Sequence, residues 1–169
     1  MQINQKLIKK QFEKSFSSYN QNAIVQKIMA ERLVQNLSSI KTEFNSVLEL
    51  GCGTGILTKE LVKNINFKAY YANDLVEKSK KYVAEIIPNS EFFCGNALKI
   101  KSKKKQDLII SNAMFQWFNN LNNICSHCKK QLNSDGFLAF STFSDKNFKE
   151  MDEPEEKQEE SEEEQTQEQ

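Results

Sequence analysis

The 169-residue sequence predicts an α/β fold, with one open, mostly parallel sheet and helices on both faces. Short apolar runs alternate with segments of helical periodicity. The first such run passes directly into the glycine-rich turn of "LELGCGTG", after which the helical period resumes. The run "QDLIISNA" has an unbroken apolar centre, as expected of a strand buried on both faces.

The elements follow in order. "NAIVQKIMAERLVQNL" sets Ile24, Ile28, Met29, Leu33, Val34 and Leu37 at helical spacing, one apolar stripe on a long first helix. Ser46 to Leu50, "SVLEL", is the first strand, followed by the glycine turn and the helix "GILTKELVKNI". "FKAYYAND" is the second strand, and "LVEKSKKYVAEII" is a helix stopped by Pro88 and Asn89. "SEFFCGNAL" holds a short third strand, "KIKSKKK" a lysine loop, and "QDLIISNA" the fourth strand. A helix from about Leu121 to Leu132, the turn "NSDG" and a fifth strand "FLAFSTF" complete the pattern.

The formal net charge is zero but unevenly spread. Residues 152–169 carry ten acidic side chains and one lysine, Lys157, leaving residues 1–151 with a net charge of about +9. That polar, acidic stretch cannot bury enough apolar area to offset the ordering of its backbone, so a domain at 1–150 followed by a disordered acidic tail at 151–169 is expected. All basic residues but Arg32 are lysine, which leaves little material for bidentate recognition of carboxylate or phosphate. Four cysteines are too few for a disulfide scaffold, and neither a signal peptide nor an 18-residue apolar run is evident. A cytoplasmic protein without a membrane partner is expected.

Gly51, Gly53 and Gly55 allow a sharp turn and close approach of a ligand to the backbone. Asp74 ends the second strand, 19 residues after Gly55, where an acid accepts hydrogen bonds from a ribose diol. The pair suits any nucleoside cofactor. G-C-G-T-G is not the dinucleotide G-x-G-x-x-G, and no G-K-[ST] of a P-loop occurs, so the pattern suggests a site without phosphates.

"VLELGCGTG" and "ANDL" resemble the first two motifs of class I methyltransferases that use S-adenosylmethionine, whose fold is a Rossmann-like sheet. "FSSYNQNAIVQKIMAERLV", "DLIISNAMFQWF" and "DGFLAFSTF" together resemble the malonyl-acyl-carrier-protein O-methyltransferases of biotin synthesis, across about residues 9–150. The resemblance implies that Gly51, Cys52, Gly53 and Gly55 lie beneath the cofactor, that Glu49 organises the turn or binds the methionine amine, and that Asp74 with Leu75 meets the ribose. It implies that Asn96 and Ala97 of "GNAL" meet the adenine, where the family commonly has an acid instead of Asn96. Ser111 and Asn112 would lie near the reacting methyl, Gln116 and Trp117 would shape the substrate entrance, and Tyr19, assisted by Gln26, would belong to an N-terminal lid.

The implied activity is methyl-ester formation on the free carboxylate of a malonyl thioester, with an acidic acyl carrier protein as partner and the lysines of 99–105 as a surface that could attract it. Such a carboxylate is already ionised, so positioning and exclusion of water would supply most of the rate. Two other readings stand beside this one: a cofactor-binding remnant or partner subunit without activity of its own, and a methyltransferase for another small acid or a protein side chain. An adenine-directed nucleic-acid methyltransferase is disfavoured because "SNAMF" lacks the two prolines of that motif. Met114, Phe115 and Phe118 read as core, and Trp117 fits core or cleft.

"CSHC" offers Cys125, His127 and Cys128 but no second ligand pair for zinc. Leu121, Ile124, Cys125, Cys128 and Leu132 form a helical stripe instead, so core cysteines and no metal are expected. Class I methyltransferases add a helix and two antiparallel strands after strand five, whereas "KNFKE" here leads into the acidic stretch. The expected sheet therefore stops after its fifth strand, and no arginine follows Arg32 to pair with a malonyl carboxylate.

Overall fold

A computed structural model describes residues 4–15 and 23–143. Its elements are α1 (Gln5–Ser15), α2 (Ile24–Ser38), β1 (Glu43–Leu50), α3 (Ile56–Asn64), β2 (Asn66–Asp74), α4 (Ser79–Ile86), β3 (Glu91–Cys94), β4 (Gln106–Asn112), α5 (Leu121–Gln131) and β5 (Leu132–Ser141). Short 3-10 turns occupy Ala97–Lys99 and Phe115–Trp117. The expected lid residue Tyr19 and the acidic stretch 151–169 lie outside the described residues.

The five strands run in the order β3-β2-β1-β4-β5, and every neighbouring pair is parallel. The chain works outward from β1 through β2 to β3, then crosses to β4 on the other side of β1. A crevice opens where the connections leaving β1 and β4 diverge, at the carboxyl ends of the strands.

Two apolar layers enclose the sheet. Val47, Tyr70, Ala72, Leu108 and Ile110 point to one face, under Ala30, Val34 and Leu37 of α2, Leu57 and Leu61 of α3, and Val83 of α4. Leu48, Leu50 and Ile109 point to the other face, under Ile124 and Cys128 of α5 with Ala97 and Phe115. Successive β1 residues thus serve opposite layers, as the period of two in a strand requires. All of these side chains are at least nine-tenths buried.

Local chemistry fixes the element ends. α3 starts after Gly55 in the left-handed conformation, at φ +80°. α5 starts at Asn120, whose Oδ1 accepts the backbone N–H groups of Asn122 at 2.9 Å and Asn123 at 3.3 Å. The side chain thereby satisfies donors that the first turn leaves open.

Several expectations needed revision. The stripe of α2 is buried at Ala30, Val34 and Leu37, but Ile24 and Ile28 are 64% and 44% exposed because the first turns lie beyond the buried layer. Leu121 is likewise exposed, at the start of α5, while Ile124 and Cys128 are buried. The helix after β2 begins at Ser79 rather than Leu75, since the residues between them turn along the crevice. "NSDG" does not precede β5 but bulges within it: Gln106 pairs with Leu132 and Leu108 with Phe137, so residues 133–136 loop out from the ladder.

Burial pushes the Cys128 thiol up to about 12, as for a packed core cysteine. His127 Nε2 lies 2.9 Å from the carbonyl of Ile100, which ties the lysine loop to α5. Among the described residues, no helix is long and apolar enough to cross a membrane.

Candidate active site

A cleft at the carboxyl ends of β1, β2, β3 and β4 holds about 890 Å³ of space, solvent at its open mouth included. Gly51, Gly53 and Thr54 bound it on one side, Asn73 to Val76 and Gly95 to Ala97 on a second, and Asn112 to Met114 with Trp117 and Phe118 on a third. Ile8 of α1 completes the wall.

Asp74 joins two of these walls. Its Oδ2 accepts the Gly53 N–H at 2.8 Å and its Oδ1 accepts the Val76 N–H at 2.9 Å. Burial raises its pKa from the ordinary value, against the lowering effect of those backbone donors. Ser79 and the Leu75 backbone lower it too, and the carboxylate lies at the border of the cleft.

Asn73 is the residue that sequence reasoning missed. It is 1% exposed. Its Nδ2 donates to the carbonyls of Phe93 at 2.9 Å and Gly95 at 2.8 Å, and its own carbonyl accepts from Gly51 and Cys52 at 2.8 and 3.0 Å. One side chain and its backbone thus fix the glycine turn against the end of β3. The available signal was an amide beside Asp74 where a buried strand ends.

At Gly53, φ is +51° and an added Cβ would meet nothing within 4 Å. The backbone therefore faces open cleft where any other residue would project a side chain. Gly51 differs: φ is +71° and a Cβ would stand 2.5 Å from Met114 Sδ, so its smallness admits Met114 to the cleft wall.

Other expected residues act from behind the surface. Glu49 is 1% exposed and does not border the cleft. Its Oε2 accepts the Thr58 hydroxyl at 2.6 Å and the Tyr70 hydroxyl, while Oε1 has no partner. Burial raises its pKa to about 7, with the two hydroxyl donors opposing that rise. Cys52 and Gly55 are buried in the turn without bordering the cleft, and burial drives the Cys52 thiol well above its ordinary range. Ser111 is fully buried and donates to the Leu50 carbonyl at 2.9 Å, joining β4 to β1 instead of facing the cleft.

Asn96 borders the cleft with Ala97 and Leu75, and its Oδ1 accepts the Leu98 N–H at 2.9 Å as the cap of a 3-10 turn. Asn112 also borders the cleft; its Nδ2 donates to the Gln26 carbonyl at 2.9 Å and its Oδ1 accepts from Ser141 at 2.6 Å. Gln116 is turned aside, with Nε2 donating to the Ala113 carbonyl at 2.6 Å and Oε1 accepting from Thr142 at 3.3 Å.

Trp117 borders the cleft at 40% exposure. Of the three residues expected in the core, Phe115 is there, stacked on Phe140 at 4.4 Å. Met114 and Phe118 pack partly buried against the same core and also border the cleft, beside a bend at Ala113, whose φ is +51°.

A family model for the methyltransferase domain matches residues 48–140. The malonyl-[acyl-carrier protein] O-methyltransferase of Priestia megaterium is 41% identical over 150 residues, which are 85% of this chain and 53% of that protein. The corresponding protein of Haemophilus influenzae is 34% identical over 146 residues, 85% of this chain and 56% of that one. The chain therefore spans about half the length of the curated relatives it matches.

Among solved structures, the N-methyltransferase NodS from Bradyrhizobium japonicum WM9, in complex with S-adenosyl-L-homocysteine, aligns with TM-score 0.57 and 17% identity over 65% of this chain and 58% of that chain. The plantazolicin methyltransferase BpumL aligns with TM-score 0.65 and 16% identity over 81% of this chain and 55% of that chain. At such identities the likeness is one of fold. The parallel sheet, the glycine turn braced by Asp74 and the match over residues 48–140 agree, and this chain belongs to the methyltransferase domain family.

Proposed function

We propose that the cleft binds S-adenosylmethionine and that the protein directs its methyl group to the free carboxylate of a malonyl thioester carried by an acyl carrier protein. The observation that carries the cofactor half is Asp74, which braces the glycine turn through one oxygen and the β2 turn through the other while facing the cleft. The acceptor half rests on likeness to the malonyl-[acyl-carrier protein] O-methyltransferases. Residues 1–150 form the methyltransferase domain in this reading.

The fit is supported by open space over Gly53 and Gly95, since a Cβ at either would meet nothing within 4 Å. S-adenosylmethionine supplies an activated methyl group on a sulfonium. Asp74, at the border of the cleft, meets the ribose hydroxyls, and Asn96 and Ala97 border the space for the base. Asn112, Met114, Trp117 and Phe118 wall the remaining space, excluding water from an acceptor carboxylate and limiting its approach. Gln116 holds that wall by bonding Ala113 and Thr142. No general base is needed for an acceptor ionised at neutral pH.

The test offers labelled S-adenosylmethionine with malonyl-acyl carrier protein and looks for a base-labile methyl ester. Ester formation supports the whole reading. Calorimetric binding without transfer would restrict it to the cofactor, and absence of binding by the folded chain would overturn it.

A further inference from the structure

The strongest feature outside the cleft is a platform of seven exposed lysines: Lys99, Lys101, Lys103, Lys104 and Lys105 before β4, with Lys129 and Lys130 in the last turn of α5. Neither segment 97–106 nor segment 121–134 contains an acidic residue. None of the seven takes part in an ion pair among the described residues.

The platform is held in shape. The Ser102 N–H donates to Gln131 Oε1 at 2.9 Å, and the His127 ring meets the Ile100 carbonyl at 2.9 Å, so loop and helix are fastened together. Gln106 Nε2 donates to Ser102 Oγ at 2.6 Å and to the Lys104 carbonyl at 2.9 Å, and Ser102 Oγ donates to that same carbonyl at 2.6 Å. These bonds keep like charges side by side that would otherwise spread apart.

Lys103 to Lys105 precede the first residue of β4, whereas Asn112 at its far end borders the cleft. About 20 Å of strand separates them. This location sets the platform apart from the cleft.

We propose that the occupant is the chain's own acidic segment, residues 152–169, docked in cis on the platform. The charges are complementary: ten carboxylates and one lysine face seven lysines. Reach is ample, because the 28 residues after Ser141 span up to about 90 Å when extended, several times the length of β4. Attachment to the same chain gives the segment an effective concentration on the order of millimolar, well above that of a free acidic partner. The other lysine groups are smaller: α1 carries Lys6, Lys9, Lys10 and Lys14, and of Lys78, Lys80 and Lys81 beside α4 the last is paired with Glu85. The docked segment masks the basic body and competes with external polyanions.

The test is zero-length carbodiimide cross-linking of the full chain, with peptides mapped by mass spectrometry and with mixed light and heavy protein to separate links within a chain from links between chains. Links from Glu153–Glu168 should fall mainly on the seven platform lysines, within one chain, and should drop about fivefold as salt rises from about 0.02 M to about 0.5 M. A variant with Lys103, Lys104, Lys105, Lys129 and Lys130 all changed to Gln, with an unchanged circular dichroism spectrum, should also lose the links to Lys99 and Lys101, whose amines remain; undiminished links there would count against docking. Links spread over α1 and α4 in proportion to their exposed lysines, or links mainly between chains, would overturn the proposal on the unaltered protein alone.

Discussion

At the ends of β1, β2 and β3 the cleft is bounded by the glycine turn and the turns after β2 and β3, whose backbone is tied together by hydrogen bonds of Asn73 and Asp74. At the end of β4 it is bounded by side chains, with Met114, Trp117 and Phe118 projecting from a bend and Trp117 40% exposed. Backbone braced by several bonds has one geometry to offer, whereas exposed side chains can repack around different molecules. The first region suits an invariant ligand and the second a variable one.

The comparison is most open to attack at Asp74. Asp74→Ala leaves the Gly53 and Val76 N–H groups without their acceptor and should weaken S-adenosylmethionine binding on the order of 100-fold, read by calorimetry. A change under about threefold would deny the bracing its role.

Glu49 comes next. Its folded pKa of about 7 stands above the ordinary 4.5, so the folded state retains a proton that the unfolded state releases. The stability this contributes is fully present below about pH 4.5, declines as pH rises towards 7, and is gone above it, a fall of about 3 kcal/mol. Urea unfolding at pH 5 and pH 7.5 should show that decline in the native protein and a much flatter response in Glu49→Gln. Equal slopes would mean that the carboxyl is not insulated from water.

Tyr70→Phe removes one of the two hydroxyls donating to Glu49 and should cost about 1–2 kcal/mol in urea unfolding. The smallest effect is expected across the cleft. Trp117→Ala should change cofactor affinity less than about threefold while reducing methyl transfer, because the lost surface lies on the side-chain wall. A large loss of cofactor affinity would show that the two regions are not separable.

Much of this was legible in the sequence because it depends on local rules. Gly53 takes a positive φ, which glycine adopts most readily, over open space, and Asp74 ends a strand beside it. The strand-helix alternation and the stripe of Val34 and Leu37 likewise follow from periodicity alone. Glu49 and Ser111 were legible as residues of the site's motifs but not in their position, since only the pairing of β1 with β2 and β4 brings Tyr70 to Glu49 and the Leu50 carbonyl to Ser111.

By itself, then, the sequence determined the α/β class, the glycine turn and its acidic partner, each set by interactions between near neighbours or by backbone conformations that few residues adopt. The tertiary structure decided which of those residues face the cleft. It made Asn73 the tie between the glycine turn and β3, turned Gln116 aside, set Met114 and Phe118 at the boundary between core and cleft beside the Ala113 bend, and fastened the lysine loop to α5 at the far end of the sheet. The physical reason is that these outcomes depend on strand register and helix docking, which join residues 20 to 60 positions apart and leave no periodic trace in the chain.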